Sequence, residues 1–187
     1  MNSTTIAAVA KLAVAMALLA GALSACATGA DPNAMTLQAA ATPATKPFPQ
    51  PLVHAMCVRA VTGGEKTNPL WVSKVDDDGF KTALSTSLDG AGLSASGGTA
   101  CAYPIDVNLL GLSQPSLGFD MTVTSHVNYK VYDSSGAPFV LATIDAPYTA
   151  TVSDAFLGVE RLKKANEGSI RASIGQFFDK LRDSTPK

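Results

Sequence analysis

Residues 121–132 read M-T-V-T-S-H-V-N-Y-K-V-Y, the cleanest alternation of apolar and polar side chains in the chain. Successive side chains of a strand point to opposite faces of its sheet. Val123, Val127, Tyr129 and Val131 therefore share one face, and Thr122, Thr124, His126, Asn128 and Lys130 share the other. A helix would mix the two sets. The segment demands a sheet with one buried and one wet face.

Other elements follow from similar patterns. Residues 53–61 (V-H-A-M-C-V-R-A-V) predict a strand ended by Thr62-Gly63-Gly64, and Ile105, Val107 and Leu109 alternate with Asp106 and Asn108 in another. Asn68-Pro69 marks a turn, with Leu70, Trp71 and Val72 as an apolar pin to the core. Residues 112–118 form a turn, and Asp133-Ser134-Ser135-Gly136 closes a hairpin. The strand over 140–152 contains Pro147, which places its latter half at an edge or bulge. Phe80, Ala83, Leu84, Leu88 and Ala91 fall on one helical face, stopped by Gly90 and Gly92. A last helix over 159–182 carries a stripe of Leu162, Ala165, Ser169, Ile170, Ile174, Phe177, Phe178 and Leu181. Gly168 interrupts that stripe, which predicts close helix-on-sheet contact. The expected fold is α+β: a mostly antiparallel four-stranded sheet with two helices packed on one face, in the order β-α-β-β-β-α. The first strand is expected beside the strand that follows Cys101.

Asp76, Asp77 and Asp78 invite a calcium reading. An EF-hand register on Gly79 puts Lys74 first and Ser85 last, where carboxylates are required. Capping of the helix that follows accounts for the acids better.

Before the domain lies a different kind of sequence. Residues 12–23 are apolar or glycine throughout and end in L-S-A-C at Cys26. Roughly 18 apolar residues are needed to cross a bilayer, so this run has the length of a secretory signal core instead. Small residues before a cysteine resemble the lipobox of bacterial lipoproteins. There the thiol receives a diacylglycerol through a thioether, fatty chains such as palmitate hold the protein to the membrane, and the signal is cut before the cysteine. An ordinary secretory signal or an uncleaved anchor are the alternatives. Residues 1–25 are thus expected to be a lipoprotein signal peptide. Residues 26–51 are expected to be a lipidated Cys26 with an Ala/Pro-rich flexible tether, and 52–187 an α+β periplasmic domain.

Cys57 and Cys101 remain. In an oxidising compartment they are expected to pair, and a loop of that length gives roughly 4 kcal/mol in the chain-entropy model. Two buried free thiols are the alternative. Lys and Arg total 14 against 15 acids, with no basic block, which argues against nucleic-acid binding and polybasic membrane adhesion. His54 and His126 lack metal-ligand spacing, so no metal or cofactor is expected.

Lipobox, proline-rich tether and β-α-β-β-β-α domain together resemble small periplasmic lipoproteins of Gram-negative bacteria. Among these are the lipopolysaccharide-assembly lipoprotein and the auxiliary lipoproteins of lipid-transporting ABC systems. The stretches G-F-D-M-T-V-T-S-H-V-N-Y (118–129), Y-T-A-T-V-S-D-A-F-L-G-V-E-R-L (148–162) and A-N-E-G-S-I-R (165–171) resemble an uncharacterised proteobacterial lipoprotein group. Some members are described as UDP-N-acetylglucosamine acyltransferases. That enzyme is a left-handed β-helix of hexapeptide repeats, and no six-residue period occurs here. The resemblance implies a lipid-anchored protein on the periplasmic side of the envelope. Ala27 after the cysteine, where Asp would favour inner-membrane retention, points to the outer membrane.

No catalytic residue is predicted. G-x-S-x-G is missing, since Gly92-Leu93-Ser94-Ala95-Ser96 lacks the last glycine, and no G-K-[ST] occurs. His126 reads as a solvated strand histidine. Glu160, Arg161, Asn166, Glu167 and Arg171 cluster early in the last helix, either as a binding spot or as a solvated face with local ion pairs. The expected function is a non-catalytic binding or assembly role with an envelope protein partner, or as a lipid-transport accessory. An envelope enzyme or glycan-binding protein using His126, Glu167 or Arg171 is the alternative.

Overall fold

The computed structural model describes residues 27–38, 46–68, 72–95 and 100–186. Its elements are α1 (Pro32–Met35), a 3-10 turn (Gln50–Leu52), β1 (Met56–Thr62), α2 (Asp77–Gly90), β2 (Tyr103–Ser113), β3 (Met121–Tyr132), β4 (Pro138–Ala150) and α3 (Gly158–Arg182).

The four strands form one sheet in the order β1-β2-β3-β4. Hairpin connections make β2–β3 and β3–β4 antiparallel. β1 lies beside β2, as the sequence predicts, but the pair is parallel, with Met56 opposite Tyr103 and Thr62 opposite Asn108. The sheet is therefore mixed. The crossover through α2 carries the chain back to its starting end before β2 begins, and strands joined that way run in the same direction.

β3 alternates as its sequence demands: Val123, Val127, Tyr129 and Val131 are buried under the helices. Tyr129 sits at the centre of that layer. Its ring stacks on Phe177 at 4.2 Å between centroids and meets Phe80 edge-on at 6.4 Å. Its hydroxyl is satisfied by Ser173 Oγ at 3.0 Å, and burial pushes its ionisation well above the ordinary tyrosine range. Ser125 Oγ, also buried, donates to the Ser169 carbonyl at 3.1 Å. The whole predicted stripe of α3 is buried. A Cβ placed on Gly168 would stand 2.2 Å from Tyr148 Cδ1, so the ring of β4 lies directly against the helix backbone.

At the start of α2, Asp76 accepts from the Gly79 amide at 2.7 Å as an N-cap. Asp77 turns outward to accept from the Gly64 amide at 2.7 Å, fastening the β1–α2 connection. Cys57 and Cys101 are bridged, with Cα atoms 5.7 Å apart, because parallel pairing brings the first residues of β1 beside the approach to β2.

Two expectations need correction. The helices number three among the described residues, and the segment read as a flexible tether over 26–51 packs on the domain through Ala30, Met35, Leu37 and Phe48. α1 buries Met35 completely against α2 and α3. The Ala30 amide donates to the Lys74 carbonyl at 3.1 Å, and the Leu37 amide to Ser87 Oγ at 2.9 Å. Further on, Phe48 meets Phe178 edge-on at 5.7 Å, and Leu52 is fully buried. Prolines do not prevent this. Their fixed φ lowers the entropy lost on docking, while Met35, Leu37, Phe48 and Leu52 supply the apolar contact. The segment expected to be a signal peptide, Cys26, and the pin residues Leu70 and Trp71 lie outside the described residues; Val72 is exposed. Among the described residues no helix is long and apolar enough to cross a membrane.

Candidate functional site

The polar cluster of α3 is largely turned inward. Asn166 is fully buried; its Nδ2 donates to the Ser73 carbonyl at 2.9 Å and its Oδ1 accepts from Gln114 Nε2 at 2.8 Å. Glu167 Oε1 accepts from the Asp31 amide at 2.8 Å and faces Lys163 Nζ at 3.9 Å. Burial raises the carboxyl of Glu167 above the ordinary range, against the pull of that amide. The Arg171 guanidinium donates to the Ala34 carbonyl and lies 5.6 Å from the Tyr148 ring. Arg161 donates through Nη1 to the carbonyls of Ala155 and Phe156 at 2.8 and 2.6 Å. Glu160 lies in the first turn of α3, half-buried. Four of the five predicted binding residues thus hold loops and the α1 arm to the helix. A charged cluster at helical spacing does not reveal this, because the partners of Asn166, Glu167 and Arg171 include backbone groups 93 to 137 residues away.

What the clasp builds is a groove. Beside Arg171 and Gly168, between α1, α3 and Tyr148 of β4, lies a cavity of about 680 Å³, lined also by Leu37, Ala172 and Gln176. That volume is within the range of small-molecule and peptide sites, of order 300–1,000 Å³. β4 is the last strand of the sheet, so its outer side has no strand neighbour among the described residues.

The uncovered face of the sheet carries a second arrangement. His126 Nδ1 lies 2.7 Å from Asp145 Oδ1, and Nε2 lies 2.9 Å from Ser113 Oγ. With Nδ1–H donating to Asp145, Nε2 accepts from the serine hydroxyl, the relation of nucleophile, base and orienting acid in serine hydrolases. The three residues come from adjacent strands, and a bulge assembles them. Between Leu109 and Gly111 the β2–β3 register shifts. Gly111, at φ 157° where side chains rarely go, absorbs it. Without the shift Ser113 would share the buried face of Leu109, which is why strict alternation does not find it. Two features limit the chemistry. Asp145 is exposed, so water screens its field. β3 is paired on both sides, which commits its amides to ladders rather than to an oxyanion.

Nearby, Arg59 forms a two-pronged pair with Asp106 at 2.8 and 2.6 Å and covers Tyr132 at 4.5 Å. The guanidinium holds the Asp106 carboxyl below the usual carboxylate range. A smaller cavity of about 210 Å³ is lined by Asp106, Asn128 and Tyr132. Among the described residues no three His, Cys, Asp or Glu side chains gather as metal ligands.

No family model matches the sequence, and no curated protein matches it. Solved structures do. A protein of Xanthomonas campestris from the family designated DUF330 is 11% identical, with 76% of this chain and 94% of that chain covered at a TM-score of 0.51. A candidate lipoprotein of Caulobacter crescentus is 14% identical, with 70% of this chain and 90% of that chain covered at 0.47. A Chlamydia trachomatis protein is 11% identical, with 69% and 91% covered at 0.42. At these identities the likeness to the Xanthomonas protein speaks for the fold alone.

Proposed function

We propose that this chain is a lipoprotein of the bacterial cell envelope, anchored through Cys26, whose domain binds a protein partner or serves lipid transport as a non-catalytic accessory. The groove along α3 beside the free edge of β4 carries the reading. An extended segment can lie in such a groove and add to such an edge, with main-chain hydrogen bonds giving affinity and pockets such as that of Tyr148 giving selectivity. The small-residue approach to Cys26 supports the anchor, and Ala27 after it supports the outer membrane. A photo-crosslinking residue at Gln176 in living cells, followed by mass spectrometry, tests it. The expected product joins α3 to an envelope protein or a lipid; a crosslink only to residues 39–45 of the same chain contradicts it.

The Ser113–His126–Asp145 relay favours a second reading, an envelope hydrolase. Ser113 would attack an ester carbonyl while His126 takes its proton and returns it to the leaving alcohol. Fluorophosphonate labelling of the native protein that disappears in S113A and H126A would support it. Equal labelling of native and S113A protein would dismiss it.

A further inference from the structure

Cys26 is bonded to a residue that already belongs to the fold. Ala27 is only 5% exposed, and three residues later the Ala30 amide is bound to Lys74. Adjacent Cα atoms lie about 3.8 Å apart, so any group on Cys26 begins at the body of the domain. The surroundings of Ala27 and Ala30 fix the end of the fold at which the described chain begins. Gln114 Nε2, just past β2, donates to the Ser73 carbonyl at 3.0 Å, one residue from Lys74. Met121 at the start of β3 faces Ala150 at the end of β4. Residues 27–31, the 72–75 segment, the β2–β3 loop and the β4–α3 connection therefore meet at one end of the sheet, where α2 and α3 also begin.

That end holds six of the eight large apolar side chains exposed among the described residues: Val72, Leu117, Phe119, Val152, Phe156 and Leu157. Leu117 is 89% exposed, and Phe119 and Phe156 are each 85% exposed. Scattered exposed apolar residues are ordinary, but a cluster at one end marks a contact surface. The cluster is also braced, since Arg161 grips the carbonyls of Ala155 and Phe156 from behind.

We propose that this end is the bilayer-facing surface of the protein, with Leu117, Phe119 and Phe156 entering the headgroup–acyl boundary beside the lipid on Cys26. The inference rests on the lipoprotein reading above and adds orientation to it. The diacylglyceryl group holds the protein to the bilayer but leaves the domain free to turn about its attachment, and an apolar contact beside the anchor aligns it. The chain is near neutral, so insertion rather than charge supplies the attraction. The hairpin turn at 133–136, at the other end of β3, then points away from the membrane, and the α3 groove opens sideways.

The test uses the full-length protein purified from membranes and reconstituted in vesicles of phosphatidylethanolamine and phosphatidylglycerol, with or without doxyl-labelled lipid. An environment-sensitive fluorophore is attached through Phe119→Cys, Phe156→Cys or, as the distal control, Ser135→Cys. Doxyl lipid is expected to lower the signal at 119 and 156 about twofold and to leave 135 unchanged, as for side chains about 5–10 Å into the interface. Equal behaviour at all three positions would overturn the proposal. So would shielding of 119 and 156 from aqueous quencher without quenching by doxyl lipid, which would place a protein or second copy there. Intact mass of the same sample separates the two levels: unlipidated Cys26 overturns the parent reading and this one together. Lipidated Cys26 with unquenched probes overturns this one alone.

Discussion

Gly168 is where one missing carbon matters most. Alanine there improves helix propensity by about 1 kcal/mol, yet its Cβ would collide with the body of the Tyr148 ring. Overpacking of this kind costs about 1–3 kcal/mol, so G168A is expected to lower the denaturant midpoint; a rise would show that the ring moves freely. Glu167 offers a test by pH. Its carboxyl is raised by burial above the ordinary 4.5, so the folded chain holds that proton more tightly than the unfolded one. The resulting stabilisation is present below the ordinary value and is lost as pH rises through the raised one. E167Q keeps an acceptor for the Asp31 amide without the buried charge. It is expected to be more stable relative to the native chain at pH 7 than at pH 4 in parallel denaturant titrations. The close approach at Gly168 is legible in the sequence, because a packing stripe omits a side chain where a neighbouring element fills the space. Glu167 and Arg171 read as a surface cluster, because side chains that hold distant backbone carry no local pattern.

At the scale of elements, periodicity finds all four strands and both long helices, and β1 lies beside the strand that follows Cys101, as expected. It does not find the direction of β1, which the α2 crossover decides, nor the flip of Ser113 at the Gly111 bulge. Composition misreads the N-terminal segment. Alanine, threonine and proline suggest a tether, but Met35, Leu37 and Phe48, spaced along it, dock it on the domain. Met35 is the anchor of that arm. M35A is expected to cost about 2–5 kcal/mol through the cavity it leaves. It should also release hydrogen-exchange protection at Ala30 and Leu37 while β3 stays protected. Unchanged protection of the arm would show that Met35 does not anchor it.

Taken whole, the molecule is a helix-covered sheet pinned at one edge by a disulfide and at one end by its own N-terminal arm. The bridge spans 44 residues, and reduction is expected to cost about 4 kcal/mol in the loop-entropy model, read as a lowered unfolding midpoint with reductant present. A midpoint insensitive to reductant would mean that the thiols are not paired in solution. Place and purpose both depend on Cys26 bearing lipid directly against a folded body. Intact-mass and N-terminal peptide analysis of the protein extracted from membranes tests this most directly. The expected product is a chain that begins at Cys26 and carries a diacylglyceryl thioether; a chain that begins at Met1, or a Cys26 with an unmodified thiol, would contradict the lipid anchor.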